Sequence, residues 1–548
     1  MGTLTIASPI DCGVEPDCRR GRRRRSLADS RPCCAPSRAG RSAARCHRNL
    51  RAGGPCCSEV RQKMGMWTLK PVPQGAEVDA GGLHRHLGLG SLTLMGVGGT
   101  IGAGIFVITG TAAANYAGPG IALSFVLAGL TCLCAALCYA ELASMIPVSG
   151  SAYTYTYATL GEFIAWMIGW NLILEYLFAT STIASGWSGY FTAFLAEIGV
   201  FLPHWLTTAP LMLGQDGALV RSGAWLNIPA IAIVLFLTTV LMFGIRAAAR
   251  WNAAMVAVKI AVVLLVIGFG AFHVRAENWV PFIPDNRGEF GEFGVSGVVR
   301  AAGIVFFAYV GFDMVSSSAQ EARNPRRDIP LSLLFSLGIC TALYLAMCLV
   351  MTGLAHYTQL NVPHPVFVAI AQGGEPLAWL KPLISVGAII GLASAMLVTL
   401  YGQTRIFFAM ARDGLLPDAF SKVHPVYRTP VFGTWFVGLG AALIAGLLPI
   451  GLLGELVSIG TLMAFSIVCL GVLILRRTKA DWPRAFRAPL IWPVAICGIG
   501  GCSYLMYSLP GDTWIRLAVW LAIGMIVYFG YGIRRSVLVR GTASAVQV

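Results

Sequence analysis

The chain has 548 residues, of which 56% are hydrophobic and 12% charged, and a formal net charge of +15. Soluble domains carry roughly 25% charged residues, so this composition excludes an ordinary soluble protein and favours a polytopic membrane protein. The positive charge raises the question of a nucleic-acid partner, which depends on how that charge is distributed along the chain.

The N-terminal region is rich in Arg, Cys, Pro, Ser and Gly and lacks apolar periodicity, so we expect residues 1–82 to be a disordered cytoplasmic extension. The arginine-rich run from Arg19 to Ser30 is followed by no apolar core, which argues against a targeting signal. The adjacent cysteine pairs of the N-terminal region do not have the spacing of zinc sites, so we expect no metal there. The simplest interpretation is that translation begins at Met64 or Met66.

Apolar segments of about 20 residues, each long enough to cross a ~30 Å hydrocarbon core, recur after residue 90. They predict an all-α integral membrane protein. We predict twelve transmembrane spans, at 91–115, 120–146, 159–196, 226–244, 251–273, 295–319, 329–353, 380–410, 430–447, 452–475, 488–509 and 513–532.

Two of these spans contain irregular stretches. Span 1 has five glycines within GVGGTIGAGIF, from Gly96 to Phe106, and span 6 has FFAYVGFD, from Phe306 to Asp313. Non-helical backbone at membrane depth is tolerated only where it is buried in protein or lines a wet cavity. When spans 1–5 are set beside spans 6–10, the two breaks correspond, and an odd number of spans per half gives the halves opposite orientations. Inverted repeats with discontinuous helices are the sequence signature of secondary transporters.

The glycines of span 1 have two other interpretations. A dinucleotide-binding loop requires a preceding strand and a G-x-G-x-x-G spacing, and this sequence has neither. Close packing of helices through small residues remains open for Gly98 and Gly102.

The basic residues have a strong sidedness if the N-terminus is cytoplasmic. The inner loops then contain most of them, including Arg323, Arg326, Arg327, Arg476, Arg477, Arg484 and Arg487, whereas the outer loops contain chiefly Arg221, Arg275, Arg287 and Lys381. This is the positive-inside bias. It predicts a multi-pass protein of the inner membrane with both termini cytoplasmic, and it explains the net charge without nucleic acid.

Several motifs in this order resemble one family. They are GVGGTIGAGIFVITG (96–110), AGPG (117–120), YAELASMIPVSGSAYTY (139–155), GWNLILEY (169–176), FFAYVGFD (306–313), EARNPRRDIP (321–330) and RIFFAMARDGLLP (405–417). The sequence resembles the amino acid–polyamine–organocation (APC) permeases, and within them the bacterial branch that is similar to cationic amino acid transporters.

The resemblance covers 83–535 and implies a LeuT-like fold of twelve helices. In this fold, a first repeat (91–273) and an inverted second repeat (294–475) have discontinuous helices 1 and 6. Helices 11 and 12 (488–532) follow, and 536–548 form a cytoplasmic tail.

An amino acid at the bilayer midplane needs partners for both of its charged ends, and broken helices offer free N–H groups and free carbonyls. The resemblance implies that the substrate carboxylate meets the backbone around Thr100, Ile101, Gly102, Ala103 and Gly104. It implies that the ammonium meets carbonyls near Phe307, Ala308 and Val310. Phe307 has the alternative role of a core aromatic residue. Many relatives have Thr at the position of Ala103, so a hydroxyl contact is absent here.

Lys259 and Glu175 are the ionisable residues that stand out inside the spans. Lys259 lies ~12 Å from the cytoplasmic end of span 5, and either it snorkels to the interface or it is functional, as intramembrane ionisable groups usually are. The resemblance to proton-coupled members implies that its ammonium occupies the place of a sodium ion. Glu175 is expected to relay a proton, to pair with Lys259 through water, or to bond a hydroxyl such as that of Thr180. Asp313 and Glu141 are expected in salt bridges with the basic inner loops.

Substrate selectivity should arise on spans 3, 6, 8 and 10. Met396 resembles the pocket-lining residue of the family, and its apolar bulk disfavours a guanidinium group. We therefore predict a secondary active permease for neutral L-amino acids, proton-coupled, with no cofactor. An exchanger, a cationic amino acid or polyamine transporter, and a non-transporting amino acid sensor remain alternatives. An enzyme is not expected, because no segment contains a catalytic constellation.

Overall fold

The computed structural model describes residues 67–70, 87–146, 151–213, 219–243, 245–317, 322–425, 427 and 429–538. Most of the expected extension 1–82 and of the expected tail 536–548 therefore lies outside the described residues.

The described chain is almost entirely helical, which confirms the predicted class. Its main helices are α1 Leu89–Thr100, α2 Ile121–Met145, α3 Ser151–Thr159, α4 Glu162–Glu197, α5 Ile228–Phe243, α6 Ile245–Ala271, α7 Gly294–Val305, α8 Pro325–Leu354, α9 Leu380–Arg412, α10 Val431–Leu447, α11 Ile450–Thr478, α12 Ile491–Ser508 and α13 Gly511–Val527. Short α-helical segments lie at Thr109–Ala112, His204–Thr207, Met314–Ser317, Pro365–Gln372 and Ile533–Arg535. Wider π-helical turns lie at Gly104–Ile108, Ala113–Ala117 and Tyr528–Gly532.

Nine helical runs among the described residues are long and apolar enough to cross a membrane. The first, Leu89–Met145, has 57 residues and includes both the first and the second predicted span. Two shorter apolar helices, Ile228–Met242 and Val431–Leu447, coincide with predicted spans 4 and 9. A helical segment therefore lies at each of the twelve predicted positions, and the chain is a multi-pass membrane protein.

Several elements outside the predicted spans were not predicted, and two of them lie in connections between spans 2, 3 and 4. The connection between spans 2 and 3 contains α3, all of whose side chains are buried, so this connection packs into the protein instead of crossing its surface. The connection between spans 3 and 4 contains an antiparallel hairpin, β1 Leu211–Leu213 and β2 Leu219–Arg221, in which Leu211 pairs with Arg221. The intervening sequence Gly-Gln-Asp-Gly-Ala has typical turn composition, a short-range signal that the search for apolar spans overlooks.

The long helix α4 is central to the bundle. It packs against α9 on one side and α11 on another, while α8 packs against α1 and α2. The interrupted parts of spans 1 and 6 lie between these groups of helices, so the irregular backbone is enclosed by protein, as membrane burial requires.

Candidate functional site

The first break lies where the glycines predict it. Helix α1 ends at Thr100, and Ile101 adopts an extended conformation with φ −72° and ψ 97°. Helical backbone resumes at Ala103 and continues through the π-helical turn Gly104–Ile108. The N–H groups at the start of a helical segment have no acceptor one turn earlier, so this backbone can bind an anionic group.

The second break follows α7. The chain continues from Val305 into a 3₁₀ turn, Phe306–Tyr309, and leaves the helix at Val310, which has φ −61° and ψ 132°. Gly311 follows with φ +111°, a conformation that favours glycine. Carbonyl groups at the end of a helix lack intrahelical donors, so this segment offers acceptors where the first break offers donors.

The two breaks approach each other through their backbones. A Cβ atom on Gly104 would lie 2.4 Å from the Cα atom of Ala308, and one on Gly311 would lie 2.8 Å from the carbonyl of Gly99. Glycine is therefore required on each side of the contact. The other interpretation of these glycines, close packing of helices, applies to Gly98 as well. A Cβ on Gly98 would lie 2.6 Å from a methyl group of Val256.

A cavity lies at this junction. Six of the nine predicted substrate-contacting residues line it, namely Thr100, Gly102, Ala103, Gly104, Phe307 and Val310, and it is completed by Gly99, Ala179, Ile183 and Thr399. No charged side chain is among these lining residues. The cavity therefore presents backbone polar groups at the breaks and mainly apolar side chains elsewhere.

The other three predicted residues lie beside the cavity. The carbonyls of Ile101 and Ala308 are hydrogen-bonded to Lys259 and Tyr344 respectively. Met396 is completely buried in α9, and Thr399, one turn further along the helix, faces the cavity instead. The hydroxyls of Thr399 and Thr180 of α4 share a 2.8 Å hydrogen bond. The Thr180 hydroxyl therefore bonds Thr399 and not Glu175.

Tyr344 of α8 joins the two breaks and was missed in the sequence. Its hydroxyl lies 2.8 Å from the carbonyl oxygen of Thr100 and 2.7 Å from that of Ala308, and it can donate to either. The residue is fully buried. A buried tyrosine hydroxyl needs a partner, so a tyrosine in the apolar run TALYLAMC was the available signal.

Lys259 of α6 lies against the first break. Its Nζ donates to the carbonyl of Gly98 and, across 2.7 Å, to the carbonyl of Ile101. The side chain is completely buried, so the snorkelling alternative is wrong. No carboxylate of the described part of the chain forms an ion pair with it. Its ammonium is instead bound to helix-terminal carbonyls, which carry a partial negative charge.

Glu175 lies in a second polar cluster, with Asp313. Both are almost completely buried, and neither Glu175 oxygen has a hydrogen-bond partner among the described residues. The nearby Thr461 hydroxyl donates to the carbonyl of Val457. Asp313 Oδ2 accepts hydrogen bonds from the hydroxyls of Ser151 (3.0 Å) and Tyr176 (3.2 Å). Two neighbouring carboxylates without a cation are costly to bury in the charged form.

The salt-bridge expectation holds for Glu141 but not for Asp313. Arg476 binds both carboxylate oxygens of Glu141, at 2.6 and 2.7 Å, and Arg484 donates to Oε1 at 3.2 Å. Asp313 forms no ion pair with any described residue and bonds hydroxyls instead. Glu141 therefore connects α2 to the last turn of α11, through Arg476, and to the segment that follows it, through Arg484.

Close contacts join separate segments at each end of the bundle. On the end opposite the basic loops, Pro365 packs on Gly110 and Pro363 on Gly189, and a Cβ on either glycine would lie within 2.5 Å of the proline. Burial between these contacts lowers the pKa of His364. At the basic end, Lys70 forms a 2.6 Å ion pair with Asp413.

Residues 87–530, which include both breaks and the cavity, match the amino acid permease family. The chain belongs to that family. The resemblance to the APC permeases is thereby confirmed. Known permeases of Bacillus subtilis (strain 168) are similar to it over most of their length. The methylthioribose transporter is 46% identical to this chain, over 83% of this chain and 95% of the transporter's own length. The branched-chain amino acid permease is 47% identical over the same shares.

A plant relative extends the comparison. The permease is 38% identical to the chloroplastic cationic amino acid transporter 9 of Arabidopsis thaliana, over 80% of this chain and 76% of the plant protein. These relatives are transporters and not enzymes. The chain is therefore a member of the amino acid permease family and not an enzyme, as the sequence predicts.

Proposed function

We propose that this permease takes up neutral L-amino acids together with protons, by alternating access. The observation that carries the proposal is the cavity between the two breaks, because it places helix-start N–H groups of one break and helix-end carbonyls of the other beside side chains that are all uncharged. A zwitterion loses most of its hydration at membrane depth, and such a site replaces it.

The substrate carboxylate would bind the N–H groups of Gly102, Ala103 and Gly104, where the positive end of a helix dipole adds to the attraction. The substrate ammonium would bind carbonyls at the end of the Phe306–Tyr309 turn. The Ala308 carbonyl is near the Tyr344 hydroxyl, so an ammonium there would take the place of that donor or share the acceptor.

The substrate side chain would lie against Ile183, Phe307 and Val310. A guanidinium or ammonium head in this part of the cavity would have no carboxylate partner, which is unfavourable. A branched aliphatic side chain suits these surfaces, in agreement with the branched-chain amino acid permeases among the relatives. Met396 lies one helical turn before Thr399 and does not line the cavity. It would affect substrate selectivity indirectly, by packing beneath the residues that line the cavity.

Proton coupling would involve Lys259 and Glu175. The protonated Lys259 ties the end of α1 to α6 with charge-assisted hydrogen bonds, which are roughly twice as strong as neutral ones. Loss of the proton would weaken these hydrogen bonds and allow the end of α1 to move. Glu175, which has no hydrogen-bond partner among the residues that the structure describes, would carry a proton beside Asp313.

We infer that the helices form the LeuT-like arrangement of two inverted five-helix repeats followed by two further helices. The breaks at corresponding positions of spans 1 and 6 and the contact between them support this. The protein would lie in a bacterial inner membrane with its basic loops and both termini in the cytoplasm.

Uptake of radiolabelled leucine into proteoliposomes tests the function. We expect accumulation when the outside is acidified and collapse of the accumulation when a protonophore is added. Flux only against internal leucine, without a pH effect, would identify an exchanger. Binding without flux would identify a sensor. Uptake of arginine in preference to leucine would contradict the neutral substrate class.

A second candidate substrate is methylthioribose, because the 46% identical relative is a transporter of that compound. Methylthioribose is uncharged, so it would not need the two charged-group sites at the breaks. Competition separates the candidates. Under our proposal, excess methylthioribose should leave leucine uptake unchanged. If the cavity binds the sugar, excess methylthioribose should abolish leucine uptake.

A further inference from the structure

The connection between α4 and α5 has an apolar surface at the end of the bundle opposite the basic loops. Its described parts, 198–213 and 219–227, contain two side chains that can carry charge, His204 and Arg221. Large apolar side chains are exposed along it, with Phe201 79% and Trp225 73% accessible. We call this the hairpin surface and define it by Ile198, Phe201, Trp205, Met212, Val220 and Trp225.

The hairpin surface belongs to an ordered unit. The rings of Trp205 and Trp225 lie 4.9 Å apart, and the Trp225 N–H donates to the carbonyl of Trp205 across 3.0 Å. The Ser222 hydroxyl donates to the Ala209 carbonyl across 2.6 Å and so closes the base of the hairpin. Exposed contiguous apolar area on an ordered unit indicates that something other than water covers it.

The depth of the hairpin follows from the two helices to which it is attached. Helices α5 and α10 have 16 and 17 residues, which correspond to lengths of about 24 and 26 Å. Both lengths are shorter than a ~30 Å hydrocarbon core. The N–H of Asn227, at the start of α5, donates to the carbonyl of Gly446 near the end of α10. The hairpin therefore joins the bundle at the edge of the hydrocarbon.

We propose that the hairpin surface lies in the interface of the leaflet opposite the basic loops and that lipid is its partner. Tryptophan is enriched at this depth because its ring is amphipathic. The surface also continues into the outward faces of α5 and α10, where Phe236 is 62% and Leu443 60% exposed. Acyl chains must cover those faces, and among the described residues 219–236 Arg221 is the one charged side chain between them and the hairpin. Arg221 is placed to bind lipid phosphate.

Tryptophan quenching in lipid nanodiscs tests this proposal. The emission of Trp205 and Trp225 is obtained as the difference between the natural protein and its Trp205→Phe/Trp225→Phe variant. With phosphatidylcholine brominated near the top of the acyl chains, this difference emission should lose most of its intensity, and aqueous iodide should leave it unchanged. The matched control is Trp166→Phe, which reports a fully buried ring that neither quencher should reach.

Two results would overturn the proposal. Strong quenching by iodide with none by brominated lipid would mean that the hairpin stands in water. Resistance to both quenchers, as for Trp166, would mean that protein covers it, and a doubled particle mass would identify a second copy of the chain. If the double variant does not fold, Phe201→Trp adds a new emitter at the most exposed position, and its added emission should follow the same pattern.

Discussion

The Nζ of Lys259 donates to the carbonyl of Ile101 across 2.7 Å, so a charged side chain of α6 holds the backbone at the point where α1 ends. A second bond to the Gly98 carbonyl fixes the same end from one turn earlier. The cation thus stabilises an interrupted helix by binding its terminal carbonyls, which is the role expected of a cation at the negative end of a helix dipole.

Replacing this cation should uncouple transport from the proton gradient. We expect Lys259→Met to lower pH-driven leucine accumulation at least about tenfold, because each charge-assisted hydrogen bond contributes about 1.5–3 kcal/mol. Exchange of leucine across the proteoliposome membrane at equal pH should persist. Lys381→Met, at the start of α9, is the matched control. Full gradient-driven accumulation by Lys259→Met would remove Lys259 from the coupling step.

Tyr344 should act on substrate affinity. The Tyr344→Phe variant leaves the carbonyls of Thr100 and Ala308 without their shared donor, at a cost of about 1–3 kcal/mol. We expect the KM for leucine to rise about tenfold, which corresponds to a cost in the lower part of that free-energy range. Tyr507→Phe, at a 75% exposed ring, is the control and should leave KM unchanged. Equal KM values for both variants would show that the hydroxyl does not position the breaks.

The contact of the breaks should not tolerate a methyl group. In Gly104→Ala the new Cβ would lie 2.4 Å from the Ala308 backbone, so the breaks must separate. Overpacking costs about 1–3 kcal/mol, and we expect leucine binding to be lost in a thermal-shift assay. Gly338→Ala in α8 has open space around its Cβ and should retain binding. Leucine binding by Gly104→Ala would refute the close contact.

Glu175→Gln should separate stability from coupling. The carboxylate has no hydrogen-bond partner in the described part of the chain, so the neutral amide should leave the melting temperature unchanged or raise it. Proton-driven accumulation should fall, because an amide does not carry the proton. Glu375→Gln, at an exposed position, should change neither quantity. A large fall in melting temperature would instead indicate that the charged form of Glu175 is a structural element.

The sequence predicted the helices and both breaks because their signals are local. Membrane burial selects long apolar runs, and the glycine-rich sequence from Gly96 to Gly104 marks the backbone that leaves the helix after Thr100. Lys259 was recognisable for the same reason, since an ionisable group inside an apolar run needs a partner.

The missed features depend on contacts between distant residues. Tyr344 lies 244 residues from Thr100, and its spacing gives no hint of that contact. Thr399 rather than Met396 faces the cavity because the rotation of α9 is set by its packing on α4, which periodicity in an almost uniformly apolar helix does not reveal. Asp313 was expected in a salt bridge with the basic loops, but it accepts hydrogen bonds from Ser151 of α3 and Tyr176 of α4. The apolar pattern did not predict α3.

Calorimetric binding of leucine and two analogues tests the central claim most directly, namely that the breaks hold both charged ends of one amino acid. Leucinol lacks the carboxylate, and 4-methylvalerate lacks the ammonium. We expect each to bind at least about tenfold more weakly than leucine, because each leaves one set of charged-group hydrogen bonds unmade. Leucinol or 4-methylvalerate binding as tightly as leucine would contradict the account.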